Sequence, residues 1–152
     1  MSRTALVVGA TGILAPAASS LAARGMRVIG ISRHGGADSI GVDARDADAL
    51  AAALRGVAWH DALVYAPAVS DATLAFVRAS TPGRCVLVRT SGAADPARGI
   101  LVVPRDTLQL GWTTGPEPRW HTPEEVSAAA LEVLDDGRPR TLGTVRPWSD
   151  RP

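Results

Sequence analysis

Apolar residues along this chain fall into short, dense runs separated by stretches of helical period. The first run, Thr4-Ala5-Leu6-Val7-Val8-Gly9, is β-branched and lacks the polar alternation of a half-exposed strand. It predicts a strand covered on both faces, as in a parallel sheet. The period then changes: Leu14, Ala17, Ala18 and Leu21 recur at helical spacing over residues 13–24, with Pro16 in the first turn and Gly25 as the stop. Residues 27–32 are apolar again, completing a βαβ unit of about thirty residues.

The alternation continues through a turn at 33–36, a short strand around 40–42 and a helix over 46–55 carrying Leu50 and Leu54. A strand at 62–66, a helix at about 70–79 with Leu74 and Val77 inward, and a strand at 84–89 follow. Strands and helices of these lengths predict an α/β fold, a doubly wound, Rossmann-like parallel sheet with helices on both faces. The last third is less regular. Residues 91–96 read as a loop, 100–112 as one or two strands around Pro104, and 114–118 as a rigid turn. Thr122-Pro123-Glu124-Glu125 is a helix start with Thr as N-cap, Pro at the first position and Glu closing a capping box. The helix it opens buries Val126, Ala130, Val133 and Leu134 and stops at Gly137; residues 141–145 predict an edge strand. There is no internal repeat or low-complexity linker, so residues 1–152 read as one domain.

Charge narrows the partners. Sixteen basic against fifteen acidic side chains leave a net charge of +1, with no basic face for nucleic acid or an anionic membrane. Cys85 is alone and no His/Cys cluster has ligand spacing, so neither a disulfide framework nor a metal site is expected. The chain enters its first strand at Thr4, too soon for a signal segment, and contains no membrane-length apolar run; the expectation is a cytoplasmic protein. All sixteen basic residues are arginine. Without lysine, Schiff-base chemistry, a P-loop and a Tyr-x-x-x-Lys relay are all excluded.

The candidate chemistry begins at Gly9-Ala10-Thr11-Gly12-Ile13-Leu14-Ala15, a G-x-x-G-x-x-A turn between strand and helix. Gly9 permits the tight turn, Gly12 lets backbone approach a pyrophosphate, and the helix start offers free N–H groups and its positive dipole end. Gly9, Thr11, Gly12, Ile13 and Leu14 are thus candidate dinucleotide-binding residues; the alternative is a glycine turn kept for geometry. After the second strand an NAD site usually places an acid, whereas this chain has Ser32-Arg33-His34, whose guanidinium suits a 2′-phosphate. NADP(H) is the expected cofactor, unless Arg33 is simply a surface arginine. Asp43 is placed to accept from the adenine amino group, or else to cap the helix starting near Asp46.

With these residues the sequence resembles the short-chain dehydrogenase/reductase superfamily, in particular atypical members with a Gly-Ala-Thr-Gly opening. The resemblance covers about the first ninety residues and includes Ala66-Pro67, where the family has an Asn-Ala-Gly-like segment contacting the cofactor, and Ser91 after the fifth strand. The tail is similar to very short, single-domain members in which Leu110-Gly111-Trp112 precedes Arg119-Trp120-His121-Thr122 and an acidic helix start. The resemblance implies an NADP(H)-dependent oxidoreductase acting on a small carbonyl or imine compound. The chain departs from the family at the proton relay: its one tyrosine, Tyr65, lies on a predicted strand, with no lysine anywhere.

Other groups must then supply the proton. Ser91, at the carboxyl edge of the sheet, can hydrogen-bond a substrate carbonyl or merely shape a turn. His121, beside Trp120, suits a general acid near neutral pH, or packs at a helix entrance. Arg105 is a candidate clamp for an anionic substrate, or faces solvent. Trp112 and Trp120 wall a pocket, or belong to a core or dimer contact. A single domain this small is expected to have its pocket closed by a second subunit, in a homodimer or higher homo-oligomer. Two other readings stand beside the reductase: a non-redox Rossmann-fold protein binding a dinucleotide or small ligand as sensor or scaffold, and a cofactor-free lyase or isomerase using His121 with an acid such as Asp95.

Overall fold

The computed structural model describes residues 3–36 and 38–152; Met1, Ser2 and Ala37 lie outside them. Among the described residues, seven strands form one sheet: β1 (Thr4–Val8), β2 (Arg27–Ser32), β3 (Ser39–Gly41), β4 (Asp61–Tyr65), β5 (Cys85–Arg89), β6 (Thr107–Leu110) and β7 (Arg140–Leu142). Their order is β3-β2-β1-β4-β5-β6-β7 and every neighbouring pair is parallel. The winding reverses between β1 and β4, which makes the carboxyl edge there the place where a doubly wound sheet opens a ligand crevice.

The apolar runs have a two-sided core to fill. Along β1, Ala5 and Val7 point to one layer while Leu6 and Val8 point to the other, and all four are buried. Strand β5 divides likewise, with Val86 and Val88 against Leu87. The first layer holds α1 (Ala15–Ala23) and α4 (Pro123–Asp136), through Ala17, Leu21, Val126, Ala130 and Val133. The second holds α2 (Ala47–Ala53) and α3 (Asp71–Ser80), through Leu50 and Val77. Each fully buried aliphatic side chain contributes about 1.5–3 kcal/mol, so the strands lock the sheet before any surface contact matters.

Three side-chain caps confirm where helices start: Asp46 accepts from the Ala49 N–H, Ser70 from Thr73, and Thr122 and Glu125 complete a capping box. Three expectations change in detail. The first helix starts at Ala15 rather than residue 13, because Gly12 N–H donates to the Gly9 carbonyl and Ala15 N–H to Gly12, drawing residues 9–14 into turns. Of residues 100–112 only Thr107–Leu110 form a strand; β5 and β7 occupy both edges of β6, and Pro104 has no N–H to offer a ladder. The edge strand is Arg140–Leu142, after which Thr144 exchanges two backbone hydrogen bonds with Trp112.

Candidate active site

At the β1–β4 switch point lies a cleft of about 380 Å³. Gly9 closes β1 with φ +97°, and a Cβ there would stand 3.1 Å from the Tyr65 Cβ, so both backbone and neighbour demand glycine. The Gly9 and Ala10 N–H groups both donate to the Ile31 carbonyl, at 3.0 and 3.2 Å, tying the turn to the end of β2. Gly12 differs: a Cβ would find only the Gly9 carbonyl at 3.9 Å and would project into open space. Helix α1 has no side-chain cap, and the N–H groups of Thr11, Ile13 and Leu14 have no acceptor among the described residues. Uncapped donors over an open glycine have the chemistry that suits an anion.

Gly9, Thr11, Gly12, Ile13, Ser32, Arg33, His34, Asp43 and Pro67 all line this cleft. Two expected members do not. Leu14 is fully buried, its isobutyl group wedged in the core under α1, so only its backbone faces the turn. Ala66 packs against the second core layer and borders a neighbouring cavity instead. Ser32 is nearly buried and its hydroxyl donates to the Gly35 carbonyl at 3.4 Å, bracing the turn that carries Arg33 and His34.

Asp43 is not the cap of α2, since Asp46 takes that role. Its carboxylate accepts from Arg45 three times: from the backbone N–H at 3.0 Å and from Nε and an Nη at 3.2 Å each. These side-chain hydrogen bonds hold the Asp43 carboxyl below its ordinary pKa. Arg45 also lines the cleft, and Arg33 adds its charge to that of Arg45 on the Asp43 carboxylate, with His34 lining the same cleft. The sequence reading missed Arg45; the signal was its position two residues beyond Asp43, where a side chain can fold back onto an Asx turn.

Ile13 and Tyr65 form a wall shared with a second cavity of about 170 Å³, which also takes in Ser91, Trp120 and His121. Burial pushes the Tyr65 phenol above its ordinary pKa. The His121 side chain is only 7% exposed, and neither ring nitrogen has a hydrogen-bond partner among the described residues. Glu125 Oε1 lies 3.8 Å from Nδ1. That carboxylate is held by Arg119, at 2.7 and 3.3 Å, and by the Thr122 N–H at 2.9 Å, which together take its pKa down to about 2. On the far side of the ring, a Cβ at Gly143 (φ +74°) would sit 2.5 Å from Nε2. Trp120 is 47% exposed and meets buried Trp112 edge to face at 6.1 Å, with Trp148 5.9 Å from Trp112 on the other side. Trp120 therefore walls the cavity, while Trp112 belongs to a small core with Ala94 and Val145.

Two candidates fall away from this centre. Arg105 is exposed in the turn that precedes β6, at the amino edge of a parallel sheet, whereas ligands bind at the carboxyl edge. Asp95 caps a 3-10 turn by accepting from the Ala97 N–H and does not line the cavity of His121. Among the described residues no three His, Cys, Asp or Glu side chains gather as metal ligands, and no helix is long and apolar enough to cross a membrane.

The fold has counterparts among solved structures. A short-chain dehydrogenase from Streptomyces avermitilis superposes with a TM-score of 0.61 at 17% identity, over 94% of this chain and 89% of that one. A short-chain dehydrogenase from Burkholderia cenocepacia J2315, in complex with NADP, gives 0.59 at 15% identity, over 95% and 91%. The Bordetella bronchiseptica enzyme WbmH, in complex with NAD+, gives 0.62 at 9% identity, over 94% and 76%. This chain has the fold of the short-chain dehydrogenases and reductases. No family model matches the sequence, and no curated protein matches it either.

Proposed function

We propose that the chain is an NADP(H)-dependent oxidoreductase that reduces a small carbonyl or imine compound without a Tyr/Lys pair. The observation carrying this reading is the adjacency of the two cavities: Ile13 and Tyr65 line both, so an uncapped helix start lies one wall away from an enclosed, unpartnered histidine. The residues fit a dinucleotide. Gly12 leaves the approach to α1 open, the N–H groups of Thr11 and Ile13 suit a pyrophosphate, and Arg33 with Arg45 suits a 2′-phosphate. When bound, the nicotinamide supplies the hydride.

The chain supplies the proton and the orientation. Ser91 donates a hydrogen bond to the substrate oxygen or nitrogen, and protonated His121 transfers its proton there, so hydride plus proton convert carbonyl to alcohol or imine to amine. Glu125, held by Arg119, keeps its carboxylate 3.8 Å from His121 Nδ1, a fixed negative charge beside the ring. The half-exposed Trp120 leaves the cavity open on one side, and a second copy of the chain covering it is part of the reading. Finding a monomer by sedimentation that still turns over would remove that part.

Calorimetric titration with NADPH and NADH, on the native protein and on Arg33→Ala and Gly12→Asp, tests the cofactor site. The expected outcome is preference for NADPH, reduced by the first variant and abolished by the second. Binding without turnover of any carbonyl or imine in a broad panel would support a sensor or scaffold instead. Binding of neither dinucleotide would defeat the reading.

A further inference from the structure

A third cavity, of about 470 Å³, opens on the same carboxyl edge between the start of α3 and the turns after β5. It shares Pro67 with the dinucleotide cleft and Thr90 with the cavity of His121. Two arginines line it, Arg89 from the end of β5 and Arg98 from a 3-10 turn, against a single acid, Asp71. Neither arginine makes an ion pair among the described residues.

Arg89 is held in place. Its Nε donates to Gln109 Oε1 at 3.0 Å and one Nη to the Val102 carbonyl at 2.8 Å. Gln109 is fully buried on β6, and its own amide donates to the Thr90 and Leu110 carbonyls at 2.9 Å each. A buried glutamine with every contact directed at this edge fixes the plane of one guanidinium. Arg89 has five N–H donors, and only two are used inside the chain, so three remain without an acceptor among the described residues. Partial burial pulls its pKa below the ordinary value, which is the signature of a cation losing water without gaining a counter-charge.

We infer that Arg89, oriented by Gln109 and assisted by Arg98, binds a carboxylate of the substrate, so that the compound reduced beside His121 is an oxo acid rather than a neutral carbonyl. The assignment rests on the reductase reading for its carbonyl, but the carboxylate site itself does not require a dinucleotide. Thr90, next to Arg89 in the chain, lines both cavities, which lie against opposite core layers, so a substrate with its carboxylate on Arg89 and its carbonyl by Ser91 and His121 has to pass over the carboxyl end of β5.

Nitrogen-detected or proton–nitrogen NMR of the arginine Nε–H groups, with and without saturating NADPH, provides the test. Pyruvate, 2-oxoglutarate and inorganic phosphate are titrated in, beside the methyl esters of the two acids, with the Arg89 signal assigned by its loss in Arg89→Gln. The expected result is a saturable shift of the Arg89 signal with an oxo acid, absent with its ester, and affinity reduced about tenfold or more in Arg89→Gln. Arg98→Gln should weaken binding less, and NADPH affinity should stay within twofold in both variants. A response to phosphate alone, equal responses to acid and ester, or oxo-acid affinity unchanged in folded Arg89→Gln would each overturn the inference. An oxo-acid response at Arg89 in a protein that binds neither dinucleotide would uphold the carboxylate site and defeat the reductase reading.

Discussion

At the β2 and β3 end of the ligand edge, Arg33, His34, Asp43 and Arg45 stand in solvent, and Asp43 is satisfied by a residue two places along the chain. At the β5 and β6 end, His121 is enclosed with both ring nitrogens unpartnered, in a cavity whose walls come from β1, β4, β5, β6 and α4 approaches. The first region suits a charged group that keeps part of its hydration, because exposed charges recognise without much desolvation cost. The second suits chemistry, because a buried polar group without a partner is costly and is retained where a ligand completes it.

Substitutions at two glycines break the comparison most sharply. Gly143→Ala forces a methyl against the Trp112 carbonyl oxygen and His121 Nε2 at a left-handed backbone, and should cost about 2–4 kcal/mol in urea unfolding. Gly12→Ala meets nothing closer than 3.9 Å and should change stability by less than about 0.5 kcal/mol while weakening NADPH binding tenfold or more by calorimetry. Equal effects on stability at both positions would erase the distinction between a glycine kept for packing and one kept for a ligand.

His121→Leu removes two unpartnered buried nitrogens and fills their space with apolar atoms. It should leave thermal stability unchanged or raised by up to about 1 kcal/mol, while turnover falls about 100-fold or more. A marked loss of stability instead would make His121 a packing residue. At the solvated end, Arg45→Ala should reduce NADPH affinity about 5- to 30-fold with little change for NADH, and the difference should shrink as salt is raised.

The smallest effect expected is on acid stability. The Glu125 pKa falls from its ordinary value of 4.5 to about 2 in the folded chain, so its contribution is fully present above about pH 4.5 and is lost as pH drops towards 2. Glu125→Gln should flatten stability over that window, lying slightly below the native protein near neutrality and converging with it towards pH 2, measured by denaturant unfolding across pH.

The legible parts of the fold share a cause. Ala5 to Val8, and Val86 to Val88, are buried on both faces, and a strand with two buried faces has no choice but an unbroken apolar run. Thr122 and Glu125 write the start of α4 within four residues, because a capping box is a local hydrogen-bond exchange. Arg105 went to the wrong edge of the sheet for the opposite reason: a residue's edge depends on strand direction and on where the strand begins, and Pro104 and Asp106 carry no signal of that. Arg89 escaped notice because the last residue of a strand reads as solvated until Gln109, twenty positions later, is found beneath it.

The sequence by itself determined the sheet's class, the glycine turn and its helix, and the positive lip at Arg33, since each is written within a few consecutive residues and governed by local sterics and hydrogen bonding. Only the tertiary structure decided that His121 is enclosed, that Tyr65 and Ile13 line two adjacent cavities, and that Arg89 is held by a buried glutamine. Those properties arise from burial and from missing partners, and both are sums over neighbours that the chain brings together only when the sheet closes.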